Sequence, residues 1–213
     1  MDITTLIGLN WSALRREAQA FLSKPQPSAL ELAMRWYEHP AWEVRFFAVS
    51  VLGGLAGEDR RALEFLYEKC GSDPAWQVNE ALAMAFDDYC AATGYEQALP
   101  EMRKWLASPF SNLRRAVSEG LRPWTASKRP YFAANPQAAI DLLGTLKDDD
   151  SHYVQESVGN ALRDISRKHL ALVIEAVQAW VAEKPESKSR RTIARYALKQ
   201  VLKADPSLLE AFG

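Results

Sequence analysis

Apolar residues recur along this chain at three- and four-residue steps, and no stretch shows the strict alternation of a half-buried strand. Leu170, Val173, Ile174, Val177 and Val181 fall on one helical face. Further amphipathic segments run over 62–69, 95–106 and 138–146. The pattern is also self-similar. HPAWEVRFFAVSVL from His39, DPAWQVNEALAMAF from Asp73, SPFSNLRRAVSEGL from Ser108 and DDSHYVQESVGNAL from Asp149 align without gaps. Their aliphatic register residues are Val44, Val78, Leu113 and Val154, spaced by 34, 35 and 41 residues. That is the span of a two-helix repeat. A degenerate fifth copy, PESKSRRTIARYAL, begins at Pro185.

Each copy opens with Asp, Ser, His or Pro before a further turn residue, which stops one helix and predicts a cap for the next. From the register residue an apolar stripe follows, as in Val78, Ala81, Leu82, Ala85 and Phe86. The pattern D-P-x-x-x-V-R/N resembles the HEAT-repeat signature, in which this turn opens the second helix of a hairpin and second helices line a concave surface. The expectation is an all-α, right-handed α-solenoid of about five HEAT-like hairpins, with second-helix turns near 40, 74, 109, 150 and 186. It is read as one domain over 1–213, with an N-terminal cap region at 1–27 and a short closing helix over 205–212. Ser23–Ser28 (SKPQPS) reads as a turn rather than a linker.

Composition narrows the classes. With 213 residues, 48% hydrophobic and 25% charged, the chain is too apolar for disorder and long enough to bury a core. No basic stretch precedes a long apolar run at the start, and no apolar run is long enough to span a bilayer, so a cytoplasmic protein without a membrane partner is expected. Cys70 and Cys90 lack metal-ligand spacing and read as reduced helix or core residues. His39, His152 and His169 stand in separate repeats, no Gly-rich phosphate loop is present, and Ser118 has no spaced His. No metal and no cofactor are expected.

Net charge is −1, yet charge is segregated. Residues 56–101 hold ten acidic and three basic side chains, 103–129 hold one and seven, and 183–203 hold two and seven. In the last stretch Lys188, Arg191, Arg195, Lys199 and Lys203 recur at helical steps. Such a basic stripe suits a phosphate backbone, and suits a solvated outer face equally. Trp42 and Trp76 share one repeat position and read as corner packing, whereas Trp124 lies in the Pro-bounded segment RPWTASKRP and could stack on a base or sugar. Glu80, Glu119 and Asp164 stand two, six and ten residues beyond their register residues, a step of about one helical turn. Three carboxylates in a diagonal on neighbouring helices, between basic zones, would have reason to meet a positive charge.

LRRAVSEGLRPW (113–124) resembles the RR-x-x-SEG-x-RP motif of the AlkC branch of HEAT-like alkylpurine DNA glycosylases. YVQESVGNALRDISRKH (153–169) is similar to that family's YV-x-x-SV-x-N-x-L-x-DI segment, and NEALAMAF (79–86) matches a third segment more weakly. The resemblance spans roughly 74–184. It implies removal of cationic N3- or N7-alkylated purines from double-stranded DNA, with carboxylates stabilising an oxocarbenium-like sugar and orienting water. Carried over, Glu119 and Asp164 would be the catalytic carboxylates and Glu80 a third. Arg122 and Trp124 would contact DNA near the lesion, joined by Arg114, Arg115, Lys128, Arg129, Lys188, Arg191, Arg195 and Lys199 along the backbone. The chain departs from the family at Met84-Ala85, where Arg-Pro is common, and at Gln155 and Glu156, where basic residues are common. A monomer is expected. A non-catalytic HEAT scaffold for DNA, and a HEAT adaptor for a charged protein partner, stay open beside the glycosylase reading.

Overall fold

The computed structural model describes residues 2–24, 26–122 and 130–204. All regular secondary structure among them is helical, as the periodicity predicts. A 3₁₀ turn at Ile3–Leu6 precedes α1 (Trp11–Leu22), α2 (Ala29–Tyr37), α3 (Trp42–Leu55), α4 (Arg60–Lys69), α5 (Trp76–Thr93) and α6 (Leu99–Leu106). Then come α7 (Ser111–Gly120), α8 (Pro130–Ala134), α9 (Pro136–Gly144), α10 (His152–Glu183), α11 (Lys188–Ala197) and α12 (Lys199–Ala204). Non-helical angles at His169 (φ −132°, ψ 51°) break α10 into two arms. The break separates the fourth repeat's second helix from the apolar segment that contains Leu170. The closing helix expected over 205–212 lies outside the described residues. Contacts group the chain into two compact units, Met1–Glu101 and Met102–Gly213.

The five repeat helices start at Trp42, Trp76, Ser111, His152 and Lys188. Val44, Val78, Leu113 and Val154 are all fully buried. At the turns the structure refines the capping expectation. His39 Nδ1, Asp73 Oδ1, Ser108 Oγ and Asp149 Oδ1 accept hydrogen bonds of 3.1, 2.8, 3.2 and 2.9 Å from the N–H groups of Ala41, Ala75, Phe110 and Ser151. These side chains close a turn two residues ahead of the helix. The true N-cap residues Ala41, Ala75, Phe110 and Ser151 make no side-chain cap bond. An extended N-cap residue separates turn from helix, so the side chain reaches only the N–H two positions on.

In the first unit α3 is central and packs against α1, α2, α4 and α5. A helix with neighbours on every side must be apolar all round, and Phe46, Phe47, Val49, Val51 and Leu52 are buried there. Phe21, Trp36 and Phe47 form an aromatic core with centroids 5.3–6.0 Å apart. Trp42 and Trp76 each begin a helix. Trp42 meets Phe46 edge-on, while Trp76 meets Trp11 at 5.0 Å and is 55% exposed.

In the second unit the long α10 packs against α7, α9 and α11. The fifth register position holds Arg190 rather than an aliphatic residue, and Arg190 is buried. Its guanidinium donates to Asp148 (2.8 Å through Nε), Glu183 (3.0 Å) and the Trp180 carbonyl (2.7 Å). Those bonds hold the Asp148 carboxyl down at about 2, from an ordinary value of 3.8. A depressed folded-state value makes the pair stabilising above the ordinary value, with the contribution fading as pH falls towards about 2. Asp148 is 43% exposed, so screening leaves roughly 1 kcal/mol. Asp148→Asn is therefore expected to lower urea-unfolding stability by about that amount at neutral pH, with the gap from wild type closing through this acid window.

A second charged device repeats in register. One residue after Val44, Arg45 donates to both Asp73 oxygens (2.8 and 3.1 Å) and to the His39 and Pro40 carbonyls. One residue after Leu113, Arg114 donates to both Asp149 oxygens (2.6 and 2.9 Å) and to the Ser108 and Pro109 carbonyls. Each arginine thus ties its own turn to the turn of the next repeat. The hydrogen bonds to Asp149 come first in holding Arg114 above the ordinary arginine value, against the effect of burial. Its guanidinium is thus held within the turn-to-turn contact.

Candidate functional site

Two of the three carboxylates of the diagonal come together in the second unit. Glu119 stands in the last turn of α7 and Asp164 in the first arm of α10, and these two helices pack directly. Arg122 lies just beyond the end of α7 and bridges them. Its Nε donates to Asp164 Oδ2 at 2.8 Å, and one terminal nitrogen donates to Glu119 Oε2 at 2.8 Å. Arg115 approaches Glu119 at 3.7 Å, one turn back on α7, and also stacks over the Tyr153 ring at 4.4 Å. Arg167 approaches Asp164 at 3.4 Å. The Asp164 side chain is 2% exposed, that of Glu119 17% and that of Arg122 20%. Burial acts against the Arg122 charge, but the Glu119 charge, its hydrogen bond and Asp164 together hold the guanidinium above its ordinary value.

Glu119 has a further support that the sequence did not signal. Ser157 Oγ donates to Glu119 Oε1 at 2.7 Å, and Ser118 Oγ lies 2.7 Å from Ser157 Oγ. Two hydroxyl oxygens at that separation need a proton between them. Ser118 Oγ also lies 2.9 Å from the Arg115 carbonyl oxygen, one turn back on α7. Both serines are buried, and Ser157 holds one Glu119 oxygen while Arg122 holds the other.

Other candidates are distributed as follows. Glu80 lies on α5 in the first unit, half-buried. Lys188, Arg195 and Lys199 are exposed on α11 and α12. Arg191 is half-buried and donates to the Pro185 carbonyl at 2.6 Å. Glu156, an added acid beside this stripe, accepts a hydrogen bond from Tyr196. Trp124, Lys128 and Arg129 lie outside the described residues. Cys70 and Cys90 are buried free thiols, and burial pushes the Cys70 thiol up. Among the described residues no cluster of His, Cys, Asp or Glu could hold a metal ion, and no helix is long and apolar enough to cross a membrane.

Over 91% of this chain and 91% of the other, the structure is similar to AlkD2 from Streptococcus mutans, at 39% identity and a TM-score of 0.83. It is similar in fold to the alkylpurine DNA glycosylase AlkC of Pseudomonas fluorescens, solved bound to DNA containing an abasic site analog, at 23% identity and a TM-score of 0.70. That match covers 94% of this chain and 55% of AlkC. Identity is thus higher to AlkD2 than to AlkC, the branch whose motifs 113–124 and 153–169 resemble. The uncharacterized protein YhaZ of Bacillus subtilis (strain 168) is 31% identical over 122 residues, 55% of this chain but only a third of YhaZ (33%). The model of the DNA alkylation repair enzyme family matches residues 3–201. The chain belongs to the DNA alkylation repair enzyme family.

Proposed function

We propose that this protein binds double-stranded DNA and hydrolyses the N-glycosidic bond of cationic N3- or N7-alkylated purines, with Glu119 and Asp164 facing the sugar. One observation carries the reading: carboxylates from two packed helices converge on a single planar, delocalised cation, the Arg122 guanidinium. An oxocarbenium-like sugar is also planar and delocalised, and fixed carboxylates are what stabilise it. A cationic purine leaves as a neutral base, so the site has no need of a general acid. Exposed Lys188, Arg195 and Lys199 would follow the phosphate backbone, with Trp124, Lys128, Arg129 and Arg115 as further contacts and Glu80 as a third carboxylate. A cytoplasmic monomer accompanies this reading.

The test is release of free 3-methyladenine or 7-methylguanine from methylated duplex DNA. Glu119→Gln is expected to slow release about ten- to a hundredfold, since the substrate's own charge already weakens the bond and one carboxylate remains. Ser157→Ala should give a smaller loss that Ser157→Thr restores. No release by wild type would end the reading. Release by Glu119→Gln and Asp164→Asn at the wild-type rate would remove the site assignment. A second reading, a DNA-binding scaffold without catalysis, draws on the guanidiniums of Arg115, Arg122 and Arg167 around the two acids. It expects salt-sensitive duplex binding with no base released.

A further inference from the structure

The carboxylate pair already holds a cation. Nε and a terminal nitrogen of Arg122 reach different acids, both at 2.8 Å, so the guanidinium sits between Asp164 and Glu119. The Arg122 side chain is 20% exposed, against 17% for Glu119 and 2% for Asp164. Arg115 and Arg167 each approach one acid, at 3.7 and 3.4 Å, but among the described residues Arg122 alone donates to both, so a further cation reaches that position by displacing it. α7 ends at Gly120, so Arg122 stands past the C-cap Leu121, where a side-chain swing breaks no helical turn. A guanidinium fork suits a phosphate as well as it suits carboxylates.

We propose that Arg122 is a specificity-determining residue: the resident cation of the Glu119–Asp164 pair in the free protein, handed to a DNA phosphate when a nucleotide bearing its own positive charge takes its place. The exchange keeps the charge of the pocket constant. A neutral nucleotide offers no replacement cation, so drawing Arg122 away would leave buried Asp164 with the longer Arg167 contact and Glu119 with Arg115 and Ser157. The site then selects nucleotides that carry a positive charge. The inference rests on the glycosylase reading of this pair, but its test reads binding rather than base release.

Duplex DNA carrying a pyrrolidine abasic analogue, cationic at neutral pH, is compared with the same duplex carrying neutral tetrahydrofuran. Wild type should prefer the cationic duplex. In Arg122→Gln no guanidinium has to be displaced from between the two acids, which outweighs the lost phosphate contact, so the preference should widen about tenfold, the effect of one partly buried charge. Arg122→Lys keeps a resident charge and should discriminate as wild type does. A second measurement uses wild type alone: the Arg122 Nε–H resonance in arginine-labelled protein should move on adding the cationic duplex and hold still with the neutral one. An unchanged preference in Arg122→Gln, or a stationary resonance with the cationic duplex bound, overturns the proposal. Failure to bind either duplex overturns it together with the reading beneath it. Bound DNA and a moving resonance without base release would instead remove catalysis and leave the exchange standing.

Discussion

Asp149→Ala is expected to lower the free energy of unfolding by about 3 kcal/mol, while Asp150→Ala next to it changes stability by less than about 0.5 kcal/mol. Both acids contact Arg114, so charge count alone would treat them alike. Asp149 is 4% exposed and takes two short bonds from the Arg114 guanidinium, at 2.6 and 2.9 Å. It also accepts from the N–H of Ser151, the N-cap residue of α10. Asp150 is 98% exposed and lies 3.5 Å away. Removing Asp149 leaves a guanidinium that is 13% exposed with only two carbonyls and a solvated acid, and frees a turn N–H as well. For a chain of this size the loss corresponds to a drop in Tm of roughly 6–12 °C. Asp73→Ala should repeat the effect in the first unit, where Asp73 is 2% exposed and takes bonds from Arg45, Tyr37 and Ala75. Urea unfolding of the three variants decides it. Equal effects at Asp149 and Asp150 would show that the turn-to-turn arginine is a surface pair.

What was legible in the sequence follows the difference between period and partner. The repeat register shows in the order of residues, because burial of Val44, Val78, Leu113 and Val154 imposes the same spacing on each copy. The exposed lysines and arginine of α11 and α12 show for the same reason. Pairing does not show. Arg114 sits in a basic stretch that reads as DNA contacts, yet its acid lies 35 positions on, in the next turn. Arg122 reads as a DNA contact, and its carboxylates include one 42 positions away. The positive charge that Glu119 and Asp164 meet in the free chain is internal. Ser157 had only its place in a motif to mark it. A hydroxyl becomes a positioning group through one bond across a helix interface, which no periodicity encodes. Branch membership is a similar case: short motifs point towards AlkC, while identity over most of the chain is higher to AlkD2.

Close packing of the repeat helices sets the other large effect. Gly53→Ala is expected to destabilise the protein by about 3 kcal/mol, although alanine is the better helix former by about 1 kcal/mol. Gly53 lies inside α3, and a Cβ there would stand 2.5 Å from Ala85 Cα and 2.6 Å from Ala85 Cβ on α5. The nearest atom is backbone, so no side-chain rotation relieves it. α3 and α5 must move apart, and that loosens buried contacts along the whole pair. Neighbouring glycines separate this from a generic glycine effect. A Cβ on Gly54 meets the flexible end of Leu22 at 2.4 Å, which can turn aside at a smaller penalty. A Cβ on Gly120, at the end of α7, meets nothing within 4 Å. Gly120→Ala should therefore be neutral or stabilising by up to about 1 kcal/mol, through the unfolded chain's lost freedom. Thermal unfolding of the three alanine variants should rank Gly53 worst, Gly54 next and Gly120 at or above wild type. A Gly53→Ala protein as stable as wild type would mean that α3 and α5 do not approach to backbone contact, and the tight stacking of the first unit would have to be abandoned.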